Sequence, residues 1–311
     1  LDEPPLKTGV PQLVFNAQHK YASAKKRFEA HLASLRSTGK SAEAAALESR
    51  LRERDSTAGL DEKYHNAMQA STQAVTEKRF EDAIKSAKEA IAIAEKLQPQ
   101  DGRLPEAVGQ LANVYSWRMD RKNALDTYKR QLLLAEKVYG PQSPQLARPL
   151  GNMAMTEVGL KDFAGAEALF TRAIEVNAKT YGENSVGVEE SVEGLARVYF
   201  MEQDFAKSEA ALLRALRIYE TIYGDDNDFI VLPLSHLCRV YDQWDKPEKS
   251  ASCHGRMLSM GEKKFGADSP YLIPDLTAEA QAFRKLGRID EAAKLEARVQ
   301  TLQSAQANAK P

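Results

Sequence analysis

This sequence has few cysteines, almost no net charge and no long apolar run. Its 311 residues include 2 cysteines, which excludes a disulfide framework and leaves the redox compartment open. The 43 basic and 44 acidic residues nearly cancel, which argues against a general binder of nucleic acid or anionic membranes. No apolar run approaches the roughly 18 residues of a membrane span, so we expect a soluble chain without membrane insertion. The chain begins at Leu1, and the compartment stays unknown.

Motifs for catalysis are incomplete. Thr38-Gly39-Lys40-Ser41 resembles the end of a phosphate-binding loop, but Ser34 stands where the full motif needs glycine, and the region is helical in pattern. No Ser/His/Asp or Cys/His arrangement has a recognisable context. We therefore expect no enzymatic activity and no cofactor.

Four residues of the types that bind metals, two histidines and two cysteines, lie close together in the sequence, but their spacing disfavours a metal site. His236 and Cys238 are two residues apart and point about 200° apart on a helix, and Cys253 and His254 also diverge. Cys238 stands in a register of small residues, so we expect a buried packing thiol, with a disulfide as the alternative.

A step of 42 residues organises most of the chain. The pair Tyr139-Gly140 recurs as Tyr181-Gly182, Tyr223-Gly224 and Phe265-Gly266, at steps of 181 − 139, 223 − 181 and 265 − 223 residues. Small residues recur at the same step, as in Ala154, Ala196, Cys238 and Ala280. A repeat of this length predicts stacked supersecondary units that bury a continuous core.

Helix signals divide each unit in two. Each recurring glycine ends an apolar-periodic segment, where a left-handed residue closes a helix, and Ser143, Ser185, Asn227 or Ser269 follows three residues later as a predicted N-cap. A second break lies inside the unit, as at Gly159–Asp162. Each unit is therefore predicted to be two antiparallel helices, helix A and helix B, which touch at the small residues.

This pattern resembles the tetratricopeptide repeat, with a step and a Tyr-Gly junction similar to those of kinesin light chains. Leu195-Ala196-x-x-Tyr199, Phe205, Ser208 and Ala215 carry the likeness. The resemblance implies an all-α fold, a right-handed α-solenoid of stacked antiparallel helix pairs. The repeats of the predicted array, 59–302, are 64–97, 105–138, 147–180, 189–222, 231–264 and 273–302.

The flanking segments have weaker signals. Residues 11–58 are interpreted as a helical hairpin, a degenerate repeat or cap, with a joint at Asp55–Gly59. Residues 1–10 are predicted to be an extended tail and residues 303–311 a frayed one.

The resemblance also implies where a partner binds, because stacked units leave one face of every helix A along a concave groove. In the register of the family, the candidate groove residues are Asn113, Trp117, Arg148, Met155, Arg197, Phe200, Arg239, Arg284 and Lys285. Asn113 resembles the asparagine that holds a peptide backbone in such grooves. The basic residues form a cationic track for acidic side chains, which Glu190, Glu193 and Asp242 interrupt.

These features predict a non-catalytic scaffold or adaptor that binds a protein or peptide segment, acidic in character, in the groove. One alternative is a structural subunit held permanently in a larger complex, which requires large apolar patches elsewhere on the surface. A second alternative is a peptide-responsive regulatory sensor. Neither nucleic acid nor metal enters any of these hypotheses.

Overall fold

The computed structural model describes residues 29–97, 101–225 and 227–308, and every α or β element in these ranges is a helix. The helices are α1 (residues 29–37), α2 (Ser41–Thr76), α3 (Phe80–Ala94), α4 (Arg103–Trp117), α5 (Arg121–Tyr139), α6 (Ala147–Gly159), α7 (Phe163–Tyr181), α8 (Val186–Met201), α9 (Phe205–Tyr223), α10 (Val231–Gln243), α11 (Pro247–Phe265), α12 (Ile273–Lys285) and α13 (Ile289–Asn308). Short 3-10 turns precede α6, α10 and α12.

Helices pack against their neighbours in the chain. From α2 to α13 each helix contacts the next, and α2 also touches α4 and α6 touches α8. Aliphatic side chains such as Leu150, Val192, Leu212 and Leu234 are almost fully buried between them. The predicted all-α solenoid of stacked antiparallel helix pairs is confirmed. None of the helices in the described ranges combines the length and apolarity needed to cross a bilayer.

In three units the turn between the two helices is built by an aspartate that follows a residue with positive φ. Met119, Lys161 and Gln203 have φ of 65°, 65° and 64°, and the aspartate after each accepts a hydrogen bond from a backbone amide in the first turn of helix B. These aspartates are Asp120, Asp162 and Asp204. Because the cap satisfies a free amide at the helix start, it defines where helix B begins.

The junction glycines differ from the predicted left-handed helix ends. Gly140, Gly182, Gly224 and Gly266 have φ of 85–88° but ψ of 155–168°. That region of backbone space is essentially restricted to glycine, whereas a left-handed cap also tolerates asparagine. The glycine register is therefore a backbone requirement of every junction.

Replacing Gly224 by alanine should lower the free energy of unfolding by about 1–3 kcal/mol, because alanine must adopt this conformation under strain. A Cβ added at Gly224 meets no atom within 4 Å, so the loss of stability would come from backbone strain and not from a steric clash. Urea unfolding followed by circular dichroism measures it. Gly59→Ala is the matched control, since Gly59 lies in open space inside α2, and it should stabilise by about 0.5–1 kcal/mol. A neutral Gly224→Ala variant would contradict this account.

Arginines on several of the B helices connect adjacent units. Arg172 pairs with Glu136 at 2.6 Å and donates to the carbonyl of Pro141 at 3.1 Å, in the preceding junction. Arg256 repeats the arrangement 84 residues later (256 − 172, two steps) with Glu220 at 2.8 Å and Asp225 at 3.3 Å. The sequence reasoning missed this ladder. Each partly exposed ion pair contributes about 0–1 kcal/mol to the free energy of unfolding. Its main effect is therefore to hold the junction loop in position.

Cys238 and Cys253 form a disulfide between α10 and α11, which corrects the expectation of a free packing thiol. The small-residue register brings the two helix backbones close, and the cysteine Cα atoms are 5.4 Å apart, within the range that a disulfide spans. Both cysteines are buried, at 1% and 5% exposure. The bond therefore links the two helices of one unit.

Loss of this disulfide should cost about 2–3 kcal/mol, because the link spans 15 residues and restricts the unfolded chain. The Cys238→Ala, Cys253→Ala double variant should unfold at lower urea than the oxidised protein. A reductant should lower the midpoint of the natural chain and leave that of the double variant unchanged. Two reactive thiols in the unreduced, denatured chain would contradict the disulfide.

The neighbouring His254 connects three helices. Its Nδ1 lies 2.8 Å from Asp275 on α12, and its Nε2 lies 3.2 Å from Asp242 on α10. Burial lowers the pKa of His254, but the hydrogen bonds to the two carboxylates outweigh burial and the pKa is raised. Its two carboxylate contacts therefore link the last two units, and they favour the protonated imidazole.

The N-terminal region departs from the predicted domain boundaries. No joint exists at 55–59, because α2 runs without interruption through these residues for 36 residues in all. Helix α13 also continues to Asn308, into the predicted C-terminal tail. The predicted tail 1–10 and the first part of the hairpin, residues 11–28, lie outside the described residues.

Candidate functional site

Four of the nine predicted groove residues, Asn113, Arg148, Met155 and Arg197, line two cavities along the face formed by α4, α6, α8 and α10. The first cavity has a volume of about 490 Å³ and is lined by residues of α2, α4, α5 and α6 and of the loops before α4 and α6. The second, of about 240 Å³, lies between α6, α7, α8 and α10. Arg148 and Asn152 on α6 line both, so the two cavities form one surface.

Amide side chains dominate the polar lining of the first cavity. They are Gln110, Asn113, Gln131, Gln145 and Asn152.

Asn113 is held in place within this set. The Tyr128 hydroxyl donates to its Oδ1 at 2.7 Å, and Asn152 donates to the same oxygen at 3.4 Å. Its own Nδ2 has no hydrogen-bond partner among the residues that the structure describes, so a donor remains available. Gln131 Oε1 is also buried without a partner. Donors and acceptors of this kind match the amides of a peptide backbone.

Two arginines line the second cavity together with Glu190 and Glu193. Arg148 and Arg197 line it with Met155, which places three of the predicted residues together. The Arg239 guanidinium stacks on the Phe200 ring at 4.6 Å, beside Arg197 in an adjoining small cleft. Phe200 also contacts Phe205 edge to face, at 6.0 Å between ring centroids, so it supports Arg239 and is not a free apolar anchor.

The other predicted residues lie apart from this group. Trp117 is 69% exposed at the end of α4. Arg284 pairs with both carboxylate oxygens of Glu296, at 2.5 and 2.6 Å, and Lys285 pairs with Asp245 at 2.6 Å. Their charges are therefore compensated within the chain, and the cationic track ends at Arg239.

A buried acidic pair on α8 lies beneath the arginines, and its burial was not predicted. Glu189 is 1% exposed, and it shares a hydrogen bond with Glu193 one turn later. The Tyr219 hydroxyl also donates to Glu189. Burial raises the pKa of both carboxyl groups, so the pair holds a proton near neutral pH. Charge pattern alone did not indicate this, because a glutamate on a helix is exposed by default.

His236 faces this pair from α10. Its Nδ1 lies 3.8 Å from Glu193 Oε1, which is too long for a hydrogen bond, and both atoms are buried without a hydrogen-bond partner. Burial lowers the pKa of His236, and the charges of Arg239 and Arg197 lower it further. The imidazole is therefore neutral at pH 7. Among the described residues no cluster of three or more His, Cys, Asp or Glu is arranged to hold a metal ion.

The buried acid predicts a loss of stability at high pH. The pKa of Glu189 is higher in the folded than in the unfolded chain, so its contribution is present at acidic pH and is lost as the pH rises through the folded value. Glu189→Gln should remove this dependence and stabilise the protein at pH 9 by of order 1–3 kcal/mol relative to the natural chain.

Urea midpoints at pH 6 and pH 9 measure the effect. Glu175→Gln is the control, since Glu175 is an exposed glutamate on α7, and it should leave the pH dependence unchanged. Equal pH dependence in the Glu189→Gln variant and the natural chain would show that the carboxyl is not buried.

Comparison with known proteins connects this array to characterised folds. A family model described as tetratricopeptide repeat matches residues 104–179, and a second model of the same description matches residues 191–228. No curated protein matches the chain in sequence.

Solved structures share the fold at low identity. BtubC (BKLC) from P. vanneervenii superposes with a TM-score of 0.61 and 19% identity, over 75% of this chain and 94% of that chain. Kinesin light chain TPR-like repeats from Podosopora anserina superpose with a TM-score of 0.57 and 17% identity, over 68% and 98%. A Rap protein complexed with competence and sporulation factor superposes with a TM-score of 0.52 and 14% identity, over 92% and 99%. At these identities the likeness shows the fold alone.

Proposed function

Because this chain is a tetratricopeptide-repeat protein, we propose that it is a non-catalytic scaffold whose concave groove binds an acidic segment of a partner protein. The observation that carries the proposal is the set of three arginines along the groove, Arg148, Arg197 and Arg239. All three are exposed, and none has a carboxylate partner within the described part of the chain. Arginines elsewhere, such as Arg172, Arg256 and Arg284, hold carboxylates of the chain itself.

Unpaired guanidinium groups suit acidic ligands. A guanidinium presents donors in a planar fork that pairs with both oxygens of a carboxylate. Arg239 is also oriented by the Phe200 ring, which reduces the entropy lost when a ligand binds. The site therefore favours Asp and Glu side chains over neutral ones.

The spacing suits an extended segment. Arg197 and Arg239 occupy equivalent positions in adjacent units, and neighbouring packed helices lie about 8–10 Å apart. An extended chain advances about 3.3 Å per residue, so acidic side chains about three residues apart would reach successive arginines. The amides around Asn113 would bind the backbone of the same segment where it continues along the groove.

A second candidate function is a structural subunit of a larger complex, and exposed aromatic residues favour it. Tyr181 is 62% exposed, Phe229 59% and Tyr271 76%, all at junctions between units. Phe229 contacts Tyr223, and Tyr271 contacts Phe265, with ring centroids 4.6 and 5.3 Å apart. Exposed aromatic groups of this size are typical of protein interfaces. No comparable observation favours the peptide-responsive sensor beyond the likeness to the Rap fold.

The Arg197→Glu, Arg239→Glu double variant should bind acidic peptides at least about tenfold more weakly than the natural chain, because two attractive contacts become repulsive. Fluorescence anisotropy with a labelled pool of random dodecapeptides that each carry four Glu measures the affinity. The pool stands in for the unidentified partner.

The matched control is Arg121→Glu with Arg217→Glu. These two arginines are also exposed, lie on α5 and α9 and hold no ion pair within the described residues. This variant has the same net charge as the groove variant and should bind like the natural chain. Equal losses in both variants would show a general charge effect, and no loss in the groove variant would favour the structural-subunit alternative.

A further inference from the structure

We propose that a third cavity, beside Gly261, binds the ring of a phenylalanine side chain that a partner protein inserts into it. This cavity has a volume of about 350 Å³, and its walls are residues of α10, α11 and α12 and of the 3-10 turns before α10 and α12. None of the three groove arginines lines it. The inference therefore goes beyond the acidic-segment scaffold and does not depend on it.

The preceding unit contains a filled copy of the site. Tyr219 stands one step of 42 residues before Gly261 (261 − 219), and its ring stacks on Phe229 with the centroids 6.3 Å apart and the planes at 9°. The same ring lies 6.1 Å from the Tyr223 ring, and its hydroxyl donates to Glu189. In that unit one aromatic ring occupies the space between helix A, helix B and the next junction.

The contacts of the Tyr219 ring recur one step later as the walls of the cavity. Gly261 stands at the position of Tyr219 itself, so the walls are present and the ring is missing. Without a ring at this position Tyr271 is 76% exposed, compared with 59% for the equivalent Phe229. The equivalent wall residues are Tyr223 and Phe265 (265 − 223), Phe229 and Tyr271 (271 − 229), and Glu189 and Val231 (231 − 189).

The lining favours an aromatic occupant over an aliphatic one. Tyr271 offers the face of its ring, as Phe229 does to Tyr219, and stacked rings attract one another beyond the effect of burial. Met257 and Met260 are partly buried in the wall, and thioether sulfurs make favourable contacts with aromatic ring edges. The flexible methionines can also adjust to the shape of the ring.

The charges at the rim favour an uncharged occupant. Lys264 pairs with Asp228 at 2.7 Å, and Asp275 pairs with His254 at 2.8 Å. Lys263, which also lines the cavity, has an interaction partner within the chain as well. Because these charges are compensated inside the protein, a neutral ring complements the site better than an ion does.

Val231 selects phenylalanine over tyrosine. It stands where Glu189 accepts the Tyr219 hydroxyl in the preceding unit, so this end of the cavity has an apolar wall in place of an acceptor. A tyrosine hydroxyl placed here would lose its hydrogen bonds to water without a replacement. The unsubstituted ring of phenylalanine avoids that cost.

Nuclear magnetic resonance of the chain, isotope-labelled at its methionine methyl groups, tests the site. A bound aromatic ring shifts the signals of nearby methyls, and Met257 and Met260 line the cavity. The probes are the uncharged peptide N-acetyl-Gly-Phe-Gly-amide and the same peptide with Tyr or Leu at its centre. The Phe peptide should shift both signals saturably and bind about tenfold more tightly than the Tyr and Leu peptides.

A variant that supplies its own ring should close the site. Gly261→Tyr with Leu272→Ile copies Tyr219 and Ile230, the pair at the equivalent positions one step earlier. The second change gives room, since a Cβ at Gly261 would lie 2.7 Å from Leu272 Cδ2. This double variant should bind the Phe peptide at least about tenfold more weakly than the natural chain.

A second pair of variants leaves the buried residues untouched. Tyr271→Ala removes the stacking ring and should weaken binding of the Phe peptide about fivefold. Phe229→Ala is the matched control, because Phe229 is the equivalent exposed residue and already stacks on Tyr219. It should bind the peptide like the natural chain.

Each contrary outcome overturns the phenylalanine site. Equal affinity for the three peptides would do so, as would undiminished binding in the folded Gly261→Tyr, Leu272→Ile variant. Shifts confined to Met68 and Met155 would place the ring in the first and second cavities instead. If circular dichroism shows that the double variant is unfolded, equal binding by Tyr271→Ala and Phe229→Ala overturns the site. A lack of any saturable shift overturns it too, and leaves the acidic-segment scaffold to its own test.

Discussion

The contact between adjacent helix pairs is the interaction on which the whole structure depends. No unit can bury its apolar stripe alone, so Leu150 of one unit, Val192 of the next and Leu234 of the one after are covered only because neighbours stack at a constant step. The glycine junctions and the arginine ladder serve this contact. The glycines let the chain turn into the next unit, and the arginines hold the junction loops against it. Stability is therefore distributed along the array in pairwise interfaces.

The same stacking generates the groove. Once the core stripe of each helix A faces its partners, the opposite stripe is left on a continuous surface, and equivalent positions in successive units line up along it. Arg197 and Arg239 form a row for this reason, as do Asn113 and Met155 in the units before them. A row of equivalent positions suits a partner that is itself extended. The groove differs from a compact enzyme pocket, because its chemistry is spread over several units.

Features that are local in the chain could be predicted from the sequence, and features that depend on tertiary contacts could not. The 42-residue step and the division of each unit into two helices follow from glycine, aspartate and apolar residues at regular spacing. The Cys238–Cys253 disulfide could not be predicted, because it depends on a 5.4 Å approach between two helices. Arg284 and Arg239 look alike in sequence, yet Glu296 pairs with the first and Phe200 supports the second. The continuity of α2 through residues 55–59 was missed because the break signals there are weak propensities that a long helix tolerates.

Opposite charges coexist in the groove because they lie at different depths. The arginines are exposed, so water compensates their charge when no ligand is present. The Glu189 and Glu193 carboxyl groups are buried, and they avoid the cost of two buried charges by holding a proton.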